Sequence, residues 1–218
     1  MTLGCAALSV SAGVTTPVDH CADSMTEQVL GAPKQITSPI RTWYVFASVV
    51  ALAAMVIAIE FGSNWVLNFV HVMCGGLWTG IDLFMGFVVG PILRRLPFEA
   101  RRAVIAALVP RTLFLLPTLS IITTTSGWFL AKRTGFLDLS YPEFWWVVAS
   151  LVIVAVLTIQ GLGYLLPANL RIYFEVQKPT PDLAKIARWM RVYFSVVASQ
   201  GAMQVAIIIV MARFATGL

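Results

Sequence analysis

The chain has 218 residues, 59% of them hydrophobic and 11% charged, with a formal net charge of +5. Its mean hydropathy is +0.85, and soluble domains run about 25% charged, so composition excludes an ordinary soluble domain and predicts an integral membrane protein. The basic residues stand at the ends of apolar runs, where charge sets membrane orientation, so nucleic acid is not expected as a partner.

Residues 1–41 read as a polar tail, expected to be mobile. No basic segment precedes the weak apolar stretch LGCAALSVSAG, so no signal peptide is expected there. His20 and Cys21 in VDHCADS could form a weak metal site, but a polar tail is the simpler reading. Cys5, Cys21 and Cys74 make no CxxC and no even framework. Cys74 sits inside an apolar run and reads as a small packing residue.

A helical span needs about 20 apolar residues, and five such runs follow. The first covers 43–61 and the second 64–93, ending at RRLP. The third covers 102–132 and contains Pro110 and Pro117, which predict a kink. The fourth starts near 143 with FWW at the interface and leaves the membrane around PANLRIYF. The fifth covers 182–214. The expected fold is all-α and membrane-integral: a five-span bundle over 42–218, with a four-helix core at 64–214 and one extra span before it. Several runs exceed 20 residues, so tilt or extension beyond the lipid is expected.

The basic residues choose a side. Lys34, Arg41, Arg94, Arg95, Arg101, Arg102, Arg171, Lys178, Lys185, Arg188 and Arg191 fall on one side. Lys132, Arg133 and Arg213 fall on the other, and Arg111 lies within the third run. The positive-inside rule then predicts a cell (inner) membrane protein with a cytoplasmic amino terminus and an outer carboxyl terminus.

The stretch NFVHVMCGGLWTGIDLF carries two ionisable groups into the bilayer, His71 and Asp82. At 100° per residue, Trp78 lies about −20° and Asp82 about +20° from His71, so the three form one stripe. Gly76 and Gly80 lie roughly opposite in a GxxxG step that permits close helix approach, and Gly86 and Gly90 repeat the spacing. Protein on both faces would put the second helix at the centre of the bundle. His71 is expected about 9 Å in from the outer side, with Asp82 about 16 Å deeper. Asp82 and Arg111 are almost equidistant from Pro97, so an Asp82–Arg111 ion pair is expected, since either charge alone in lipid is costly. His71 has two readings: a core histidine satisfied by a hydroxyl such as Thr123, Thr124 or Thr125, or a ligand to a metal or haem iron. Gln200 and Gln204, one turn apart near mid-membrane, either contact a ligand or hydrogen-bond across helices.

The segment HVMCGGLWTGIDLFMGFVVGPILRRL resembles the His-x6-Trp-x-Gly helix of the HemJ-type protoporphyrinogen oxidases and the related CopD-like domains. RRAVIAALVPRTLFLLPTLSIITTTSGWFL is similar to their Arg-rich loop and the Pro-containing helix that ends at Gly-Trp. The last two runs agree in order and length only, so the resemblance covers about 64–214. It implies a four-helix membrane core and, in the HemJ branch, a haem b ligated by the histidine matching His71, with redox chemistry on a tetrapyrrole. It makes His71 the metal ligand, and Trp78 of the same stripe, Thr124 and Gln204 join His71 as cofactor-binding candidates. That branch has a lysine near the start of the fourth helix, and 147–150 here has none, which puts the oxidase activity and the second axial position in doubt. Met203, Met211 or Lys132 would be a sixth ligand, or the iron would stay five-coordinate. A CopD-like role would move copper along soft ligands. Met73, Met85, Met203 and Met211 are available but form no Met-x-x-Met cluster.

Three functions follow as expectations. The first is a haem-b-binding redox or electron-transfer protein. The second is a small copper, other metal or proton transporter, and the third is an accessory subunit of a larger membrane complex. Lipid is the expected surrounding, with other membrane subunits or a homo-oligomer as further partners. No nucleophile–base pair, carboxylate dyad, phosphate loop or NAD fingerprint is present, so any catalysis would belong to a cofactor.

Overall fold

The structure, a computed structural model, describes residues 40–217. The tail reading over 1–39 and the His20–Cys21 pair lie outside the described residues. Among the described residues there is no strand, and five helices are long and apolar enough to cross a membrane. They are α1 (Thr42–Phe61), α2 (Asn64–Arg95), α3 (Phe98–Arg133), α4 (Phe144–Val176) and α5 (Leu183–Ala215). The chain is therefore an all-α, multi-pass membrane protein. Such elements satisfy their own backbone groups, which lipid cannot do.

The turns show why the helices begin where they do. Ser63 starts α2 by accepting the Val66 N–H at 3.4 Å, and Asp182 starts α5 by accepting that of Lys185 at 3.0 Å; both are N-caps of the preferred type. Pro97 separates α2 from α3, and the next turn closes with arginine. Arg101 donates to the Leu93, Arg94 and Leu96 carbonyls at 2.8, 3.1 and 3.1 Å, satisfying the acceptors that α2 leaves open at its end. Replacing it by alanine should lower resistance to unfolding by about 1–2 kcal/mol, given the strength of hydrogen bonds to a charged donor. A titration with denaturing detergent, read by helix content, measures this.

α2 and α4 are not regular throughout. Met85–Val89 and Ile159–Leu165 are wide π turns, closed by the Gly90 N–H on the Met85 carbonyl and the Leu166 N–H on the Gly161 carbonyl. Each lies just before a proline, Pro91 or Pro167. A proline ring clashes with the carbonyl four residues earlier, and widening the turn relieves that clash without ending the helix. α3 contains Pro110 and Pro117 and still runs as one helix.

The centre of the bundle is α3, not α2 as its two-faced pattern suggests. α3 packs against α1, α2 and α4. It buries Thr118, Ser120 and Ser126 along with its aliphatic residues. Their hydroxyls return to their own helix, on the Phe114, Pro117 and Ile122 carbonyls at 2.7, 3.0 and 2.6 Å. Small side chains satisfied locally let neighbouring helices come close. Gly76 and Gly80, by contrast, are exposed and a Cβ on either would meet nothing within 4 Å. Of the two glycine pairs on α2, the second is the one that meets protein.

Three apolar clusters lie along the bundle. Met55, Ile59, Leu67 and Ile122 join α1, α2 and α3. Trp78, Leu119 and Leu157 form the middle, with Met203 and Cys74 packed on them. Leu93, Ile105, Val109, Ile172, Tyr173, Val176 and Ile186 fill the end that carries the α2–α3 and α4–α5 turns. That end is also tied by charge. Glu175 accepts from Lys178 at 2.9 Å and Lys185 at 3.5 Å. Arg102 reaches across to the Gln177 and Lys178 carbonyls at 3.2 and 3.5 Å.

Candidate functional site

The ionisable stripe of α2 opens onto two separate polar centres. The deeper one is built on Asp82, one turn before the wide turn at Met85–Val89. Beyond that turn α2 lies close against α5. A Cβ at Gly86 would stand 3.0 Å from Val197, and one at Gly90 would stand 2.6 Å from Phe194, so only glycine fits at Gly90 without moving the ring. This close approach brings two glutamines of α5 to the carboxyl group. Gln200 and Gln204 donate their Nε2 groups to Asp82 Oδ2 at 3.1 and 2.7 Å. Trp78, one turn along α2 and only 6% exposed, adds a third polar contact to the same group.

The amides are almost wholly enclosed, with Gln200 3% and Gln204 1% exposed. Each gives its nitrogen to Asp82, and each keeps a buried oxygen, Oε1, with no partner among the described residues. Buried polar atoms are seldom left so. Asp82 and Gln200 line a cavity of about 140 Å3 between α2, α3, α4 and α5. Its walls are chiefly aliphatic, with Trp78, Thr112, Asn169 and Tyr193 as the other notable groups. Among the described residues no Lys or Arg lines it, and α1 contributes nothing to it.

The expected Asp82–Arg111 ion pair does not form. Arg111 is exposed and donates to the Ala107 carbonyl of its own helix at 2.8 Å. Equal distance from the Pro97 turn fixes depth but not rotation. At 100° per residue, Arg111 lies roughly opposite the residues of α3 that face the cavity, such as Val109, Thr112 and Leu116. The amides of α5 do what the arginine was expected to do.

The second centre belongs to His71. Its Nδ1 lies 2.9 Å from the backbone carbonyl of Thr123 and 3.5 Å from Ser126 Oγ. Since Ser126 already donates to the Ile122 carbonyl at 2.6 Å, a proton on Nδ1 donated to Thr123 satisfies the arrangement. Nε2 then carries the lone pair and has no partner among the described residues. The ring lies against Gly127, where a Cβ would come within 2.6 Å of Cε1 and 2.9 Å of Nδ1. The threonine hydroxyls expected as partners are not used: the contact comes from the main chain, and Thr124 is exposed on another face of α3. His71 does not line the cavity.

The four cofactor candidates thus divide. Trp78 and Gln204 gather at Asp82, His71 stands about 16 Å along the helix by its rise, and Thr124 joins neither. Met203 fills the middle cluster, Met211 is half-buried, and Lys132 is exposed near the end of α3. Among the described residues no three His, Cys, Asp or Glu side chains converge as a metal site. The residues that sequence did not single out are Ser126 and Gly127 behind the imidazole and Asn169 and Tyr193 in the cavity wall. Asn169 and Tyr193 hydrogen-bond to each other. Asn169 carries a visible signal, a polar residue in PANLRIYF, where the sequence places the exit of the fourth run from the membrane.

Comparison with protein-family models, with curated proteins and with solved structures gives no match.

Proposed function

We propose that the chain is a small multi-pass transporter whose working site is the Asp82 cavity and whose cargo is a proton or another small cation. One observation carries this reading: a single carboxyl group stands on a cavity wall inside the bundle, held by neutral donors instead of being cancelled by an arginine. An ion pair would spend the charge on architecture. Amide donors fix the carboxyl group and leave its charge to meet an incoming positive group. The basic residues at the α2–α3 and α4–α5 turns support an orientation with that end in the cytoplasm of a cell's inner membrane. In proteoliposomes holding an imposed potential, cation or proton uptake should be measurable and should fall at least about tenfold in Asp82→Asn. Equal uptake by the variant overturns the reading.

A second reading, a haem-b-binding redox protein with His71 as axial ligand, has its own support. The Nδ1 contact to a main-chain carbonyl orients the imidazole as in many metal-ligating histidines and leaves Nε2 available. The resemblance of the α2 segment to HemJ-type helices points the same way. Haem, when bound, would supply one-electron chemistry. The fit extends to one bond only, since no described cluster of ligand residues stands beside His71. A pyridine haemochrome assay with a reduced-minus-oxidised spectrum decides it. The reading expects stoichiometric haem b, lost in folded His71→Ala, and a colourless folded wild-type protein overturns it.

A further inference from the structure

We propose that the cargo of the Asp82 cavity is a small organic ammonium ion, an amine whose charged nitrogen meets Asp82 and whose hydrocarbon body fills the rest of the space. This deepens the transport reading and rests on it for the identity of the working site. Three independent features of the cavity converge on that ligand.

The first is charge. Among the described residues Asp82 is the one ionisable carboxyl group on the wall and no Lys or Arg faces it, so the site selects against anions. The second is how the carboxyl group is held. Gln200 and Gln204 give Asp82 their Nε2 groups, and their Oε1 atoms are enclosed without a donor among the described residues. Gln200 is itself part of the wall, but its Oε1 is closed off from the space, so Asp82 is the acceptor that an N–H of the ligand would meet. A carboxylate fixed by two neutral amide donors and facing apolar space suits a cation that brings its own hydrogen-bond donors.

The third is the body of the cavity. A hard metal ion takes six or more oxygens gathered around it, and although several lining side chains carry oxygen, Asp82 is the one carboxylate among the described residues there and most of the wall surface is hydrocarbon. They suit hydrocarbon. At about 140 Å3 the space is close to that of an engineered apolar cavity of about 150 Å3 that holds benzene, which corresponds to roughly six to eight non-hydrogen atoms. Trp78 and Tyr193 on the wall add ring faces and edges, which favour a cation over a neutral molecule of the same shape. A bare proton would use the carboxyl group alone and would leave the apolar space unexplained.

The test is calorimetric titration of the full chain in detergent with cyclohexylammonium chloride, using cyclohexanol as a neutral molecule of the same shape and sodium chloride as charge without a body. The proposal expects saturable one-to-one binding of the ammonium ion only. The affinity should fall at least about tenfold in Asp82→Asn and measurably in Gln200→Leu. Leu116→Trp, which fills the cavity without touching the carboxyl group, should also abolish binding and serves if Asp82→Asn does not fold. Equal binding of cyclohexanol, displacement by sodium ion, or unchanged affinity in both Asp82→Asn and Leu116→Trp overturns the proposal. Vesicle flux of protons with no ammonium binding overturns this ligand and leaves the transport reading standing. Specific binding with no flux of any cation removes the transport reading and leaves the ligand assignment intact.

Discussion

Asp82→Ala should destabilise the folded chain by about 2–4 kcal/mol, more than any other polar substitution in the bundle. It removes the acceptor for two amide donors, Gln200 Nε2 at 3.1 Å and Gln204 Nε2 at 2.7 Å. Hydrogen bonds between membrane helices reach about 1–2 kcal/mol each, and a charged partner places these towards the upper end. What remains is two buried amides with neither end satisfied. Reversible unfolding in mixed micelles measures the loss. The comparison with Arg111→Ala is the decisive control, because an ion pair would make the two losses equal. Arg111 is exposed and bonded only to its own helix, so its replacement should change stability by less than about 0.5 kcal/mol. Adding Gln204→Leu to Asp82→Ala should recover part of the loss, since it removes one of the unsatisfied amides. An Arg111→Ala loss as large as that of Asp82→Ala would contradict the geometry.

Gly127→Ala should cost about 1–3 kcal/mol, the usual range for forcing a methyl group into a filled space. The new Cβ would lie 2.6 Å from His71 Cε1 and 2.9 Å from Nδ1. Imidazole is rigid and joined to α2 by a short stem, so the ring must turn away or the helices must part. Either movement breaks the 2.9 Å contact between Nδ1 and the Thr123 carbonyl. The nitrogen-15 shifts of the His71 ring should therefore change along with stability. His71→Ala combined with Gly127→Ala should be more stable than Gly127→Ala alone, because the collision disappears with the ring. A neutral Gly127→Ala with unchanged ring shifts would show that the imidazole does not sit on this glycine.

The spans were legible because hydrophobic length is set by lipid and needs no tertiary information. The helix ends were less so: α3 begins at Phe98, several residues before its apolar run, because an amphipathic turn holding Glu99, Arg101 and Arg102 continues the helix into polar surroundings. Gln200 and Gln204 were legible as a polar pair on one face of α5. What a single chain does not disclose is rotation between helices. Asp82 and Arg111 agree in depth and disagree in direction. The same gap left Gly76/Gly80 and Gly86/Gly90 indistinguishable, since spacing states what a helix permits and not which neighbour uses it.

The wide turns at Met85–Val89 and Ile159–Leu165 have a consequence for how this chain is compared with distant relatives. Each holds about one residue more than an α turn, so the segments before and after it are out of phase by about 100°. A relative lacking Pro91 or Pro167 has no clash to relieve and can manage with one residue fewer there. An alignment that forbids gaps inside membrane helices would then shift every later residue of α2 or α4 onto the wrong face. Allowing a single-residue gap within 85–89 and 159–165 keeps Asp82 in register with Gly90, and Thr158 with Asn169.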